Sequence, residues 1–162
     1  MPAEFWQSPD KKTTFFALRS SVTKMIKFSE EFTAFVKQAG FANVVILTST
    51  LSPIKRSRDS NRQIPEMFAY ANNHIMQQNP DFYKTNGIQK FGFWMETAKK
   101  RKHQELNELS GAGWGKKLLK AFNHTDINCT LFVIFCTGGI DFVGGYSMYS
   151  FLKKAIGGSV AA

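Results

Sequence analysis

The sequence predicts an α/β fold with a mainly parallel central sheet flanked by helices and preceded by an N-terminal β-hairpin. Helix-type and strand-type patterns alternate along the 162 residues, as they do in parallel sheets with crossover helices. The run Val44–Leu47 is continuous and β-branched, which is typical of strands buried on both faces. A second apolar run, Cys129–Cys136, is the clearest strand in the chain. The length suits a single domain over residues 1–162.

The N-terminal elements have the most regular patterns. Ala3–Gln7 and Thr13–Leu18 are short and aromatic-rich, and the turn residues of Ser8–Lys12 separate them, which predicts a hairpin. Apolar residues recur at three- and four-residue spacing over Met25–Ala39, and Gly40 follows as a stop signal. This pattern predicts an amphipathic helix that leads into the strand at Val44–Leu47.

The remaining segments have weaker patterns. In chain order we expect a basic exposed loop at Leu51–Gln63, a strand at Met67–Ala71, an irregular or partly helical Asn72–Lys90, a strand at Phe91–Trp94, and helices at Ala98–Leu106 and Lys116–Phe122. After the strand Cys129–Cys136, the candidate N-cap Asp141 begins a last amphipathic helix, Asp141–Ile156.

Composition narrows the class of protein. Apolar residues make up 43% and charged residues 20%, as in a globular chain. The net charge of +9 favours acidic partners, which include nucleic acid, an anionic membrane and an acidic protein surface. The longest apolar run, Leu131–Cys136, is too short to cross a bilayer, and the N-terminus has no secretory pattern. Cys129 and Cys136 point to opposite faces of one strand, which indicates reduced thiols in a cytosolic protein.

A glycine-rich loop directly before a helix is the most informative motif. Gly111, Gly113 and Gly115 alternate, so the loop can adopt positive φ and approach another surface closely. A phosphate-binding P-loop has four residues between its first glycine and its Gly-Lys pair, and a Ser or Thr follows the lysine. Here Gly111 and Gly115 enclose only three residues, and Lys117 stands where the hydroxyl residue belongs. A dinucleotide fingerprint fails because the third glycine comes one position early. The spacing therefore favours a structural or interface loop.

The sequence predicts no catalytic, metal or cofactor site. His74, His103 and His124 are scattered, and the motifs of zinc sites and serine hydrolases are missing. Two basic clusters, Lys55–Arg58 with Arg62 and Lys99–Lys102, could contact phosphates or act as a nuclear address. Because no aromatic residue lies within either cluster, a solvated face or a protein-docking patch is the preferred interpretation.

Several segments, in this order and spacing, resemble the proteasome assembly chaperone 2 family. They are the strand–helix–strand of Phe15–Thr50, the basic loop Ser52–Gln63, the segment Arg62-Gln-Ile-Pro-Glu-Met-Phe-Ala-Tyr70, and Leu109-Ser-Gly-Ala-Gly-Trp-Gly-Lys-Lys-Leu118. The resemblance covers nearly the whole chain. Family members are longer and begin with a further strand and helix, whereas the match starts at about Ala3, so we expect this unit to be absent here.

The resemblance implies a non-enzymatic chaperone with a nucleoside-phosphorylase-like fold. It would form a heterodimer with assembly chaperone 1, bind α subunits of the 20S proteasome and promote α-ring formation in the cytoplasm and nucleus. No cofactor, membrane or nucleic acid is expected as a partner, and docking would use the surface of the domain rather than its C-terminal tail. The candidate partner-binding residues are Gly111, Gly113, Trp114, Gly115, Lys116, Arg56, Arg58 and Arg62.

Alternative interpretations remain for the role of Trp114 and for the functional class of the protein. Trp114 fits an interface anchor or a core tryptophan equally well. The chain also fits two other classes, a basic nucleic-acid-binding α/β domain and a nucleoside-phosphorylase-like enzyme.

Overall fold

A computed structural model describes residues 3–18, 22–51, 67–86, 112–136 and 144–150. The strands in these ranges are β1 (Ala3–Gln7), β2 (Thr14–Leu18), β3 (Asn43–Leu51), β4 (Met67–Ala71) and β5 (Asn128–Cys136). The helices are α1 (Met25–Gln38), α2 (Asn73–Gln78), α3 (Phe82–Thr85), α4 (Gly115–Phe122) and α5, which comprises residues 144–150. The mixed α/β class is confirmed. The predicted elements Phe91–Trp94 and Ala98–Leu106, the loop from residue 52 to residue 63 and the candidate cap Asp141 lie outside the described residues.

The predicted N-terminal hairpin is confirmed. β1 and β2 pair antiparallel with Phe5 opposite Phe16, and a tight turn joins them. In the turn the Asp10 carboxylate accepts hydrogen bonds from the Ser8 hydroxyl at 2.5 Å and the Lys12 N–H at 3.1 Å. These bonds, that of Ser8 first, hold the pKa of Asp10 below its usual value because they favour the charged carboxylate.

The predicted helix after the hairpin is also confirmed as α1. It ends where Gly40 adopts a φ of +74°, a conformation that suits glycine. The N–H groups of Gly40 and Phe41 then donate to the carbonyls of Lys37 and Val36, at 3.1 and 3.2 Å. This closure turns the chain directly into β3.

The central sheet is mixed, so the prediction of a mainly parallel sheet is wrong for the described strands. Its order is β3-β5-β4. β3 and β5 are parallel over nine residue pairs, from Asn43 opposite Asn128 onward, whereas β4 runs antiparallel to β5. Alternation along the chain predicted the elements but did not fix the direction in which β4 enters the sheet. An edge strand can pair in either direction, and antiparallel pairing needs no crossover helix.

Among the described strands β3 lies at one end of this sheet, and the exposure of one of its faces corrects a second expectation. Ile46 is buried in the core, but the side chain of its neighbour Val45 is 53% exposed. The prediction that Val44–Leu47 is buried on both faces is therefore wrong at Val45. Successive side chains of a strand point to opposite faces, and the face of β3 that carries Asn43, Val45 and Ser49 is exposed at these three residues.

The core lies between one face of the sheet and α4. Leu118, Leu119 and Phe122 of α4 are spaced to lie on one side of the helix and are fully or nearly fully buried. They belong to one cluster with Ile46 of β3 and Leu131 of β5. Val36 joins the same cluster, so α1 packs next to α4. This arrangement fixes the loop before α4 over the sheet.

A buried asparagine connects β5 with the helices α2 and α4 through side-chain hydrogen bonds. Asn72 lies between β4 and α2 and is fully buried. Its side-chain amide donates to the carbonyls of Ile127 at 2.8 Å and Phe122 at 3.1 Å. Its carbonyl oxygen accepts from the N–H groups of Ile75 and Cys129, both at 3.2 Å. The side chain thus caps α2 and satisfies the backbone at the start of β5.

Two titratable side chains are withdrawn from water near this junction. Cys129 is a free, buried thiol, and burial raises its pKa far above the usual range because it disfavours the thiolate. Tyr83 accepts a hydrogen bond from the Ala71 N–H at 2.7 Å, and burial also raises the pKa of its phenol. The side chain of Cys136 lies outside the described residues.

Candidate protein-binding surface

The glycine loop before α4 has positive φ at two positions, of which one is a glycine and the other is Ala112. Ala112 and Gly113 both have positive φ, +56° and +47°. The Gly115 N–H donates to the Ala112 carbonyl at 3.1 Å, and the Thr48 hydroxyl of β3 donates to the same carbonyl at 3.3 Å. The loop is therefore fastened to β3 of the chain's own sheet.

Gly115 makes the close approach that the alternating glycines suggested, and it makes it within the chain. A Cβ added at Gly115 would lie 3.0 Å from Leu131 Cδ1 and 3.4 Å from Ile46 Cγ2. Gly115 is itself buried, so its missing side chain lets α4 begin directly on the sheet. At Gly113, by contrast, an added Cβ would meet nothing within 4 Å. Of the two glycines of this loop that the structure describes, Gly113 is exposed and Gly115 is buried.

Trp114 lies between these two roles. Its indole is half-buried, packs against the core cluster and meets the Phe28 ring edge-to-face, with 6.2 Å between ring centres. Edge-to-face pairs of this kind add to the stability gained by burial. The geometry fits a core tryptophan with one accessible side. A role as a partner anchor stays a prediction.

Lys116 brings a positive charge to the start of α4. Partial burial lowers its pKa, and the nearby charge of Lys120 lowers it further. Lys120 is one helical turn away at i+4, where like charges repel. The first turn of α4 thus carries the cations Lys116 and Lys117 and no acidic residue, which favours a negatively charged neighbour over a further cation.

The other predicted partner-binding residues cannot be placed beside the loop. Gly111, Arg56, Arg58 and Arg62 lie outside the described residues. Of the predicted set, the structure brings together the consecutive residues Gly113, Trp114, Gly115 and Lys116. Among the described residues, no three His, Cys, Asp or Glu side chains come together as metal ligands. Within the same ranges, no helix is long and apolar enough to cross a membrane.

A surface that the sequence motifs do not indicate lies on the hairpin and α1. Four large rings there stay roughly half exposed: Phe5 at 55%, Trp6 at 48%, Phe15 at 47% and Phe35 at 45%. We call these four residues the aromatic surface. Trp6 and Phe15 are cross-strand partners on one face of the hairpin, whereas Phe5 lies on the other face beside Phe35. Adjacent exposed apolar rings of this kind mark interaction sites in soluble proteins.

Pairs of adjacent aromatics in each strand explain this exposure. Phe5 faces Phe16 across the hairpin, with ring centres 4.6 Å apart, and Trp6 is opposite Phe15 on the other face. Neighbouring residues in a strand point to opposite faces, so each pair places one ring on each face of the hairpin. A single helix can cover the rings on only one of these faces. The pairs Phe5-Trp6 and Phe15-Phe16 were the sequence signal that could have found this surface.

The rings form a continuous path from the hairpin to the glycine loop. Phe16 stacks on Phe32 of α1 with centres 5.1 Å apart, and Phe32 stacks on Phe28 at 5.6 Å. Phe28 then meets Trp114. Phe5 of the aromatic surface is thus linked to Trp114 through one layer of packed rings, whereas Trp6 and Phe15 lie on the other face of the hairpin.

Comparison with known proteins bears on the fold alone. No protein-family model matches the chain, and no curated protein matches it. Among solved structures, a crystal structure of a protein of unknown function from Thermoplasma acidophilum is similar, with a TM-score of 0.65 at 16% identity. The alignment covers 96% of this chain and 55% of that one, so the chain spans just over half the length of the solved protein.

Proposed function

We propose that this chain is a proteasome assembly chaperone of the chaperone 2 type. In this role it binds α subunits of the 20S core particle, as a heterodimer with assembly chaperone 1, and promotes α-ring formation without turning over a substrate. Its place of action is the cytoplasm and nucleus. The order and spacing of the segments that resemble the family support this assignment.

The aromatic surface is the structural observation that supports it most directly. A chaperone for subunit assembly must bind folded protein, and tryptophan and other aromatic residues dominate the binding energy of protein interfaces. Here Trp6 and Phe15 lie side by side on the outer face of the hairpin, and both are about half exposed. The net charge of +9 adds long-range attraction towards an acidic partner surface.

The segments that resemble the family coincide with elements of the fold. The strand–helix–strand of Phe15–Thr50 corresponds to β2, α1 and β3, and the glycine loop leads into α4. We extend the proposal to the finer fold, a nucleoside-phosphorylase-like α/β domain, of which the mixed sheet and its two flanking helices would be one part. The parallel pair β3 and β5, with α4 packed on it, supports that relation.

The test uses the purified chain, purified 20S α subunits and purified assembly chaperone 1. Size-exclusion chromatography with light scattering should show a complex of defined mass with the partner chaperone, and that complex should take up α subunits. The double variant Trp6→Ser/Phe15→Ser should weaken uptake about 30-fold, since two interface aromatics are together worth roughly 2 kcal/mol.

The matched control is Tyr146→Ser/Tyr149→Ser on α5, which removes two other exposed rings. It should bind as tightly as the unaltered chain. Absence of any complex with α subunits at micromolar concentrations would refute the proposal. So would phosphate-dependent cleavage of a purine nucleoside, or retention of an oligonucleotide that is lost steeply with salt.

A further inference from the structure

The solvent-facing side of α4 carries only positive charges. Leu118, Leu119 and Phe122 of this helix face the core, whereas Lys117 and Lys120 are exposed. The eight residues of α4 include no acidic side chain. Residues three apart on a helix are surface neighbours, with about 5–6 Å between their Cβ atoms, so the two exposed lysines share one face. We call Lys117 and Lys120 the lysine pair.

This arrangement of charges works against the stability of α4 itself. Lys116 and Lys117 lie in the first turn, where the helix dipole favours negative side chains. Lys120 lies four positions after Lys116, and like charges at this spacing repel. The pKa of Lys116 is lowered, first by partial burial and then by the charge of Lys120, so the two ammonium groups are close enough to interact. Negative groups of a partner above the lysine pair would offset both unfavourable effects.

The lysine pair adjoins the accessible part of the glycine loop. Trp114 has helical φ and ψ and lies three positions before Lys117, which places it on the same side of the helix. Its indole is fixed by the edge-to-face contact with Phe28, so covering its accessible side costs little rotamer freedom. The neighbouring Gly113 is exposed, and an added Cβ there would meet nothing within 4 Å. The surface thus combines two cations with one fixed ring and an open approach.

The composition of this surface indicates which kind of acidic partner it fits. A helix that binds a membrane inserts apolar side chains beside its lysines, whereas the large apolar side chains of α4 are buried against the sheet. Single-stranded nucleic acid stacks its bases on exposed rings. α4 has no exposed ring, and Trp114 is half-buried and packed against Phe28. Carboxylates of a polypeptide require neither feature, so an acidic polypeptide is the best match.

We propose that the lysine pair and the accessible side of Trp114 bind an acidic polypeptide segment. At least two of its carboxylates reach Lys117 and Lys120, and one apolar side chain covers the indole. The net charge of +9 attracts such a segment over long range, and it makes a second copy of this chain an unsuitable occupant. The identity of the partner rests on the proposed function, to which this surface adds the chemistry of the segment that docks.

The probe is a ten-residue peptide of glutamate and serine with one central leucine and a neutral fluorescent label. Fluorescence anisotropy should show saturable binding that weakens as salt rises, because salt screens exposed ion pairs. Two matched peptides separate the two kinds of contact. Glutamine in place of every glutamate should abolish binding. Serine in place of the leucine should weaken binding and leave its salt dependence unchanged.

Variants locate the site on the protein. Lys117→Gln/Lys120→Gln should weaken peptide binding about fivefold, because each exposed ion pair contributes a factor of roughly two to three. The matched control, Lys11→Gln/Lys84→Gln, removes two other exposed charges, from the hairpin turn and α3, and leaves the same net charge. It should weaken binding by less than about twofold. In urea titrations Lys117→Gln/Lys120→Gln should be at least as stable as the unaltered chain, because repulsion within α4 is relieved.

The opposite results would overturn the proposal. Equal loss in both double variants would show that net charge alone attracts the peptide, and binding of the glutamine peptide would exclude the ion pairs. A ten-nucleotide oligothymidylate that binds more tightly than the peptide, and depends on the lysine pair, would assign the surface to nucleic acid. Lower stability of Lys117→Gln/Lys120→Gln would give the lysines a structural role instead.

The peptide assay and the proteasome assay fail separately. If the peptide does not bind while α subunits are still taken up, the acidic docking segment is refuted and the proposed function stands. If the peptide binds as described while α subunits are not taken up, the proposed function is refuted and the acidic docking segment stands.

Discussion

Replacing Asn72 with alanine should cost a large part of the stability of this fold. The side chain is fully buried and makes four hydrogen bonds. Of its partners, the Phe122 carbonyl keeps a second donor, the Thr125 hydroxyl at 2.9 Å. The Ile127 carbonyl and the N–H groups of Ile75 and Cys129 lose the Asn72 bond in a buried setting.

The expected magnitude follows from these partners. A buried group left without its hydrogen bond costs roughly 1–3 kcal/mol, and an N-cap contributes about 1 kcal/mol. Loss of three such bonds, one of them the cap of α2, predicts a decrease of roughly 3–5 kcal/mol in the free energy of unfolding. Domains of this size are stable by only about 5–15 kcal/mol, so the variant should unfold roughly 10–15 °C earlier.

Urea unfolding followed by far-UV circular dichroism measures the change. Asn73→Ala is the matched control, because Asn73 is exposed and contributes its backbone N–H, not its side chain, to a bond with Asn123. It should stay within about 0.5 kcal/mol of the unaltered chain. An Asn72→Ala protein that loses less than about 1 kcal/mol would show that the four bonds do not hold the junction together.

Three further changes test other parts of the structure. Gly115→Val should lower the free energy of unfolding, measured by urea titration, by roughly 1–3 kcal/mol because Leu131 leaves no space for the new side chain. Gly113→Val should lower it by about 1–2 kcal/mol because of the positive φ alone. If both variants were as stable as the unaltered chain, the loop geometry would be contradicted. Burial raises the pKa of Cys129, so unfolding releases a proton above about pH 8.5 and stability should fall by up to about 1.4 kcal/mol per pH unit there; a Cys129→Ala variant should show a smaller slope. Tyr83→Phe leaves the Ala71 N–H without its acceptor and should lower stability by roughly 1–2 kcal/mol, and an unchanged midpoint would argue against that bond.

The elements with regular local patterns were predictable from sequence. The spacing of apolar residues gave α1, Gly40 gave its end, and the β-branched runs gave β3 and β5. The hairpin followed from two short aromatic segments around turn residues. In each case the determining interactions lie within a few residues, so the local sequence carries the information.

Features that depend on distant contacts were not predictable. The direction of β4 and the order β3-β5-β4 of the described strands depend on how distant segments pair in the sheet, and no local pattern records this. The glycines correctly predicted a close approach at Gly115, but not that the approaching surface is the chain's own Leu131. Asn72 read as an ordinary turn residue, since three of its four side-chain partners lie 50 to 57 positions away.

The attachment of the hairpin through stacked rings has a thermal consequence. Phe5 and Phe16 hold it to Phe32 and Phe35 by apolar contact. Apolar attraction weakens on cooling, while hydrogen-bonded ladders depend less on temperature. The β1–β2 unit should therefore be the first to detach near 0 °C. Samples stored cold would expose more apolar surface than samples kept warm.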